Sequence, residues 1–186
     1  MNIRRFLPRR LPKSSWRGKR RARTVSPARA DLSQVTSTHA PHGALEMEGE
    51  DWDVDRLRNW VQTVADMGRK LACAGAIEVA TGELVGFTVI GLPRASEHIA
   101  AQFGTVVAPN HRGHRLGILV KIANLRNVAE LAPPTRRVRT WNALGNDPMI
   151  RLNVALGFEV TGGAIDWHKT LGERSSTRFG PPAPKL

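Results

Sequence analysis

The sequence contains a single cysteine, Cys73, and no long uninterrupted apolar segment. One thiol excludes an internal disulfide framework and a cysteine-rich zinc site, and it is compatible with a reducing compartment. No apolar run approaches the ~20 residues that a membrane-spanning helix needs, and no apolar stretch of ~7–15 residues follows the basic N-terminus, as it would in a signal peptide. We therefore expect a cytoplasmic protein without a metal site, with an Arg-rich transit peptide over residues 1–30 as the minor alternative.

Acidic residues are absent from residues 1–30, which hold 11 of the 28 Lys and Arg residues. Residues 31–186 hold the other 17, together with all 16 Asp and Glu residues, so the formal charge of +12 belongs almost entirely to an N-terminal arm. This distribution weakens the interpretation of the whole protein as a nucleic-acid coat. The distribution still allows residues 1–30 to contact RNA, DNA or an acidic membrane weakly, through charge alone.

The length of 186 residues leaves room for one domain with tails. Residues 1–43 are rich in Arg, Pro, Ser and Thr and poor in large apolar residues, so we predict a basic disordered arm there. Residues 173–186 contain three prolines and are predicted to form a second loose tail. The globular domain is therefore expected at residues 44–172.

Hydrophobic spacing within this domain alternates between helical and strand periods. It predicts a helix over residues 53–70 capped by Asp51 or Asp53, strands over 74–79, 84–90, 99–107 and 138–142, helices over 115–131 and from Asn146 to Gly157, and a closing hairpin of 158–160 with 164–167. This order predicts an α/β (α+β) fold, in which helices flank a mixed, mostly antiparallel sheet.

The segment 106–118 is predicted to join a strand end, a tight turn and a helix start. Unpaired N–H groups and the positive end of the dipole allow a helix N-terminus to bind phosphate oxygens. Gly113 permits the turn and the close approach of a ligand, whereas Gly117 costs ~1 kcal/mol inside a helix, so ligand approach or close packing is expected to compensate. Arg112 and Arg115 add charge for a pyrophosphate. Neither a Walker Gly-Lys-Ser/Thr nor a dinucleotide G-x-G-x-x-G motif is present.

The segment Arg112-Gly113-His114-Arg115-Leu116-Gly117 resembles the acetyl-CoA-binding motif Q/R-x-x-G-x-G/A of the GNAT superfamily of N-acetyltransferases, with Arg115 at the motif's first glycine. A second block, Asn146 followed by Leu156-Gly157-Phe158, is similar to the family's Asn-capped helix that ends in Leu-Gly-Phe. The resemblance covers about residues 52–170. It implies an N-acetyltransferase that uses acetyl-CoA as co-substrate and transfers the acetyl group directly to a primary amine.

The resemblance also implies which residues bind the cofactor. The strand ending at Val107 would splay from the strand 138–142, with pantetheine in the gap and a backbone N–H near Val107 polarising the thioester carbonyl. The implied cofactor-binding residues are Val106, Val107, Ala108, Arg112, Gly113, His114, Arg115, Leu116, Gly117, Asn142 and Asn146.

Departures from the family pattern concern acid–base catalysis. The chain has no tyrosine, and Asn153 stands where the family often places a tyrosine that protonates the departing thiolate. The predicted strand 99–107 has no carboxylate, which leaves His98 and Glu97, just before it, as candidate general bases. Imidazole titrates near neutral pH, whereas Glu97 would need its pKa raised by burial.

Three hypotheses stay open: an active N-acetyltransferase, a degenerate GNAT domain that binds CoA or a partner without turnover, and a nucleic-acid binder acting through its basic arm. A GNAT domain usually opens with a strand that the arm does not resemble. Either the first strand is missing, leaving a sheet edge exposed or covered by a partner chain such as a second copy in a homodimer, or the chain resembles the second half of a tandem GNAT protein.

Overall fold

The computed structural model describes residues 26–39, 51–94, 97–165, 167 and 169. A short 3₁₀ turn, Pro109–His111, follows the third strand. In chain order the elements are α1 (Pro27–His39), α2 (Val54–Asp66), β1 (Leu71–Ile77), β2 (Leu84–Gly91), β3 (Ile99–Val107), α3 (Leu116–Leu131), β4 (Arg137–Arg139) and α4 (Asp147–Ala155). Within the described ranges, the helices are too short or too polar to cross a membrane.

The four strands form one sheet in the order β1-β2-β3-β4. The pairs β1–β2 and β2–β3 are antiparallel, whereas β3 and β4 are parallel. The predicted mixed, mostly antiparallel sheet flanked by helices is therefore confirmed. β1 is the outer strand, and within the described residues no strand pairs with its free side.

Two apolar clusters hold helices on the two faces of the sheet. On one face, Val128 of α3 packs with Ala72, Ile90 and Ala100 of the strands. On the other face, Leu32 of α1 joins a second cluster, composed of Leu32, Phe87, Val89 and Val106, with Trp60 of α2 packed against it. The sheet is thus sandwiched between α3 and the α1–α2 pair.

The caps predicted for α2 and α4 are present in the structure. Asp53 begins α2, where its Oδ1 accepts the Arg56 N–H at 2.6 Å. Asn146 begins α4, and its Oδ1 accepts the Met149 N–H at 3.4 Å. Gly157, with φ +80°, follows the C-terminal end of α4 in the left-handed region that favours glycine.

The prediction of a disordered arm through residue 43 is wrong for residues 27–39, which form α1. Ala30 and Leu32 are 2% and 6% exposed, and the Arg29 guanidinium lies over the rings of Trp60 and Phe87. The helix is stabilised because a small apolar stripe and a cation–π contact bury it on the sheet. Residues 1–25 and 40–43, and the whole predicted tail 173–186, lie outside the described residues.

The predicted strand 138–142 is shorter than expected, and the closing hairpin is not seen in the described residues. β4 ends at Arg139, so Trp141 and Asn142 lie outside the sheet. Residues 158–165 form no strand, and Val160 and Ile165 are 87% and 79% exposed. The alternation of apolar residues does not produce a hairpin there, because β4, an edge strand of three residues, offers few backbone groups with which another strand could pair.

Candidate functional site: an opening beside β3 and a turn of free amides

Pairing between β3 and β4 stops after three residue pairs, and we call the space between the rest of β3 and the chain that follows β4 the opening. The parallel pairing joins only Ile99, Ala100 and Ala101 to β4. From Ala101 to Val107 the strand advances about 20 Å, at about 3.3 Å per residue, and no described residue pairs with it on that side. This opening agrees with the expected divergence of the two strands, although β4 ends earlier than predicted.

A β-bulge begins where the opening begins. Thr88 pairs with Thr105 and Ile90 with Gln102, so β3 contains one more residue than β2 over this interval. Buried Gln102 stabilises the bulge, since its Nε2 donates to Val89 O at 2.8 Å and to Gly104 O at 3.2 Å. A bulge bends and twists its strand, which accounts for the loss of pairing with β4.

Backbone amides are exposed in the turn between β3 and α3. Gly113 has φ +82°, and a Cβ there would meet no atom within 4 Å. Arg115, with φ 58°, precedes α3 without a side-chain cap. In the described part of the chain, no group accepts a hydrogen bond from the N–H groups of residues 113–117, the segment we call the amide turn. Left-handed backbone at a non-glycine costs roughly 1 kcal/mol or more and concentrates at functional sites.

The side chains of the amide turn contribute charge and packing. The Arg112 Nε donates to Val107 O at 3.3 Å. The backbone N–H of Arg112 donates to Pro109 O, so it is not free to bind the cofactor as the resemblance implies. The His114 Nδ1 lies 3.4 Å from His111 O. Leu116 is buried and anchors the start of α3.

Gly117 is required by packing. A Cβ at this position would lie 2.9 Å from Leu152 Cδ1 of α4 and 3.9 Å from Val107 Cγ2. The helix-destabilising glycine therefore lets α3 approach both α4 and the end of β3. Close packing, one of the two reasons expected from the sequence, is present.

The end of β3 directs backbone groups to both sides. The Ala108 N–H donates to Val85 O at 2.9 Å, and Val106 pairs with Phe87, so both face β2. Because successive residues of a strand alternate, the Val107 N–H faces the opening.

Asn142 and Asn146, implied as cofactor ligands, lie on the far side of the opening. The Asn146 carboxamide oxygen is engaged in capping α4. The Asn142 Oδ1 accepts from Asn153 Nδ2 at 2.8 Å, and the Asn153 Oδ1 accepts from Lys121 Nζ at 2.7 Å. Lys121 is not predicted as a site residue from the sequence, where its only signal is a lysine between Val120 and Ile122 on an apolar helix.

Glu97 and His98, the candidate bases, lie at the opposite end of β3 from the amide turn. Glu97 accepts from Arg94 Nε and from Arg69, each at 2.7 Å, and the hydrogen bond from Arg94 lowers the pKa of its carboxyl group. The raised pKa that a general base would require is therefore not found. His98 lines a cavity of about 330 Å³ together with Arg69, Glu97, Arg139 and residues 99–101. In the described residues, no three His, Cys, Asp or Glu side chains cluster as a metal site would require.

Solved structures of other proteins share the fold described above. No family model and no curated protein matches the sequence. Among solved structures, a tandem GNAT protein from the clavulanic acid biosynthesis pathway is 33% identical, with a TM-score of 0.61 over 82% of this chain and 44% of that protein. The present chain therefore spans less than half the length of this relative.

Two more distant structures have the same fold. AAC(6')-Iy, in complex with the bisubstrate analogue CoA-S-monomethyl-acetylneamine, is 16% identical, with a TM-score of 0.55 over 84% of this chain and 99% of that one. The protein yncA from Salmonella typhimurium, with its cofactor acetyl-CoA, is 20% identical, with a TM-score of 0.56 over 80% of each chain. The sheet with its opening, the amide turn and the match to the tandem protein together show that the chain belongs to the GNAT superfamily.

Proposed function

We propose that this protein is an acetyl-CoA-dependent N-acetyltransferase that moves an acetyl group to a primary amine by direct transfer. The observation that carries the proposal is the amide turn, whose free N–H groups lie at the end of β3 beside the opening. Such N–H groups bind phosphate oxygens. The complexes of AAC(6')-Iy with a CoA analogue and of yncA with acetyl-CoA support this choice of ligand.

The residues around the opening fit an acyl-CoA in three ways. The N–H groups of residues 113–117 would bind the pyrophosphate, with the exposed Arg112 and Arg115 adding positive charge. The unpaired edge of β3 would hydrogen-bond the pantetheine amides. The co-substrate supplies an activated acetyl thioester, and the Val107 N–H would donate to its carbonyl oxygen as negative charge develops there.

Positioning would supply most of the rate enhancement, because none of the β3 side chains is an acid or a base. The acceptor amine would lose its proton to water, because His98 lies at the opposite end of β3 from Val107, out of hydrogen-bond reach of the thioester. Glu97 is less suitable, because a carboxylate paired with two arginines is a weak base.

A degenerate GNAT domain that binds CoA without turnover is the second candidate. Asn153 at the position of the family's tyrosine and the engaged Glu97 favour it. Release of free CoA, measured with acetyl-CoA and a panel of primary amines, separates the two candidates. Turnover with any amine excludes the degenerate domain, and binding with no turnover across the panel excludes the transferase for those amines.

Acetyl-CoA binding is tested by thermal unfolding. At 100 times the dissociation constant, a ligand specific to the folded state stabilises it by about 2.7 kcal/mol, so we expect acetyl-CoA to raise the melting temperature. The Gly113→Val variant should lose half of this stabilisation or more, because each lost charge-assisted hydrogen bond costs about 1.5–3 kcal/mol, or tenfold or more in affinity.

Gly82→Val is the matched control for that variant. Gly82 also has a positive φ of +75° and open space at its Cβ position, but it lies in the β1–β2 hairpin. Both variants carry the same backbone strain, and only Gly82→Val should keep the full response to acetyl-CoA. A wild-type melting temperature that acetyl-CoA does not change would contradict the proposal.

A weak contact of the N-terminal arm with nucleic acid is a separate part of the proposal. Residues 1–25 hold ten Lys and Arg residues and no Asp or Glu. Such a segment binds phosphate backbones through counterion release, without sequence specificity. The folded body is nearly neutral, so this contact would be confined to the arm.

A further inference from the structure

Lys121 is a buried cation with no countercharge in the described part of the chain. It is 2% exposed, and its Nζ donates to Asn153 Oδ1 at 2.7 Å and lies 5.3 Å from the centre of the Phe158 ring. Across the described part of the chain, no carboxylate forms an ion pair with it.

The surrounding elements do not supply a countercharge. On β1, β2 and β3 the only ionisable side chain is Cys73, which packs on the α1–α2 face of the sheet. The remaining titratable groups on the elements nearest Lys121 are Arg126 and Glu130 on α3, Asp147 and Arg151 on α4, and Glu159 after Phe158. Glu130, Asp147, Arg151 and Glu159 are exposed, and Arg126 is half-buried and carries the same sign of charge as Lys121.

An uncompensated buried ammonium is unfavourable for stability. Desolvation lowers the pKa of Lys121 from 10.5 to about 8. An apolar side chain of similar volume would avoid the desolvation penalty. The position of the cation therefore calls for a reason other than folding.

Helix geometry and hydrogen bonds connect Lys121 to residues that border the opening. Lys121 lies one helical turn after Gly117 and on the same side of α3, where the helix approaches Val107 and Leu152. From Lys121 the hydrogen bonds continue through Asn153 to Asn142, beyond the end of β4. A ligand arm that enters the opening from the amide turn would pass this chain of polar groups.

We propose that Lys121 is a positioning residue whose ammonium fixes the orientation of the Asn153 carboxamide. The ammonium charge and the N–H donors of that carboxamide together stabilise the sulfur of bound CoA as a thiolate. This inference rests on the proposed function and deepens it. The Asn153 oxygen accepts from Lys121, so its Nδ2 is directed toward Asn142 and the opening. The Nδ2 group has a second N–H for which no acceptor lies in the described part of the chain.

The step served by this arrangement is the departure of the thiol. The amine nitrogen forms a bond with the acetyl carbon, the carbon–sulfur bond breaks, and its electron pair leaves on sulfur. The amine proton passes to water, and the products are the amide and CoA thiolate, which takes up a proton after release. A positive charge and an amide donor near the sulfur would therefore replace a side-chain acid.

The test titrates the thiol of CoA bound to the full chain, followed by the ultraviolet absorbance of the thiolate. An opposite charge within ~4–6 Å lowers a pKa by about 1 or more, so below pH 8, where Lys121 is charged, we expect the ionised fraction of the bound CoA thiol to be about tenfold that of free CoA. Lys121→Met should remove this difference, and Lys121→Arg should restore part of it. Asn153→Leu, which keeps the ammonium but removes the carboxamide, should also reduce it.

Lys70→Met is the matched control, because Lys70 is exposed before β1, away from α4, and should leave the titration unchanged. An equal ionised fraction of the thiol in the wild-type and Lys121→Met complexes would overturn the inference while leaving CoA binding intact. Failure of the wild-type chain to bind CoA would overturn the proposed function, and this inference with it.

Discussion

Two buried cations show how individual residues meet the same energetic problem differently. Arg29 is 5% exposed and stacks against Trp60 and Phe87, and desolvation lowers its pKa. A planar, weakly hydrated guanidinium suits such a position. Lys121 is a compact ammonium that retains one carboxamide oxygen as acceptor. The second arrangement should cost stability.

Replacing Lys121 with methionine should change how stability depends on pH. The Lys121 pKa is 10.5 when unfolded and about 8 when folded. Between these values the unfolded chain binds the proton that the folded chain releases, so the wild-type free energy of unfolding should gain up to about 3 kcal/mol as pH rises from 8 to 10.5. Lys121→Met should lack this gain and be the more stable protein at pH 7. Urea unfolding across this pH range measures both effects, and parallel curves for the two proteins would contradict the prediction.

Single residues could be predicted from the sequence where one backbone requirement dictates the residue type. The sequence predicts a turn at Gly113, which has a positive φ in the structure, and a helix cap at Asn146, which caps α4. Lys121 could not be found in this way, since its environment comes from α4 and Phe158, 32 or more residues away in sequence. Its burial is a consequence of tertiary packing.

At the scale of elements, the sequence predicted those with a sustained hydrophobic period. The strand 99–107 and the helices near 54–66, 116–131 and 147–155 are confirmed. β4 was overestimated because its length is set by the bulge in β3, and the bulge depends on Gln102 reaching Val89 and Gly104 across the sheet. Helix α1 was missed because its apolar stripe is narrow and its arginine is paired with aromatic rings that come from other elements.

The packing of α1 is tested by Leu32→Ala. Leu32 is 6% exposed against Phe87, Val89 and Val106, so its truncation should lower the free energy of unfolding by about 2–4 kcal/mol. Asp31→Ala, at the exposed neighbouring position, should change it by less than about 0.5 kcal/mol. Denaturant unfolding compares the two variants. Equal stabilities would mean that α1 does not pack on the sheet.

At the scale of the whole molecule, charge and fold are separated along the chain. Residues 1–25 carry ten of the 28 basic residues, whereas the opening and the amide turn lie within residues 99–157. Because α1 is part of the folded body, a deletion that tests the arm has to end at residue 25 and retain residues 26–186. Binding of nucleic acid and binding of acetyl-CoA should then be independent.

We expect the chain 26–186 to lose retention on immobilised RNA while keeping its full acetyl-CoA-dependent rise in melting temperature. The full-length chain should elute from RNA with a steep dependence on salt, since each neutralised phosphate of a single strand contributes about −0.7 to the slope of log K against log salt concentration. Exposed lysines and arginines remain on the shortened chain in near balance with its acids, which makes it an internal control for non-specific adsorption. Retention that survives the deletion would locate the RNA contact on the folded body, and a lost response to acetyl-CoA would show that the arm takes part in the site at the start of α3.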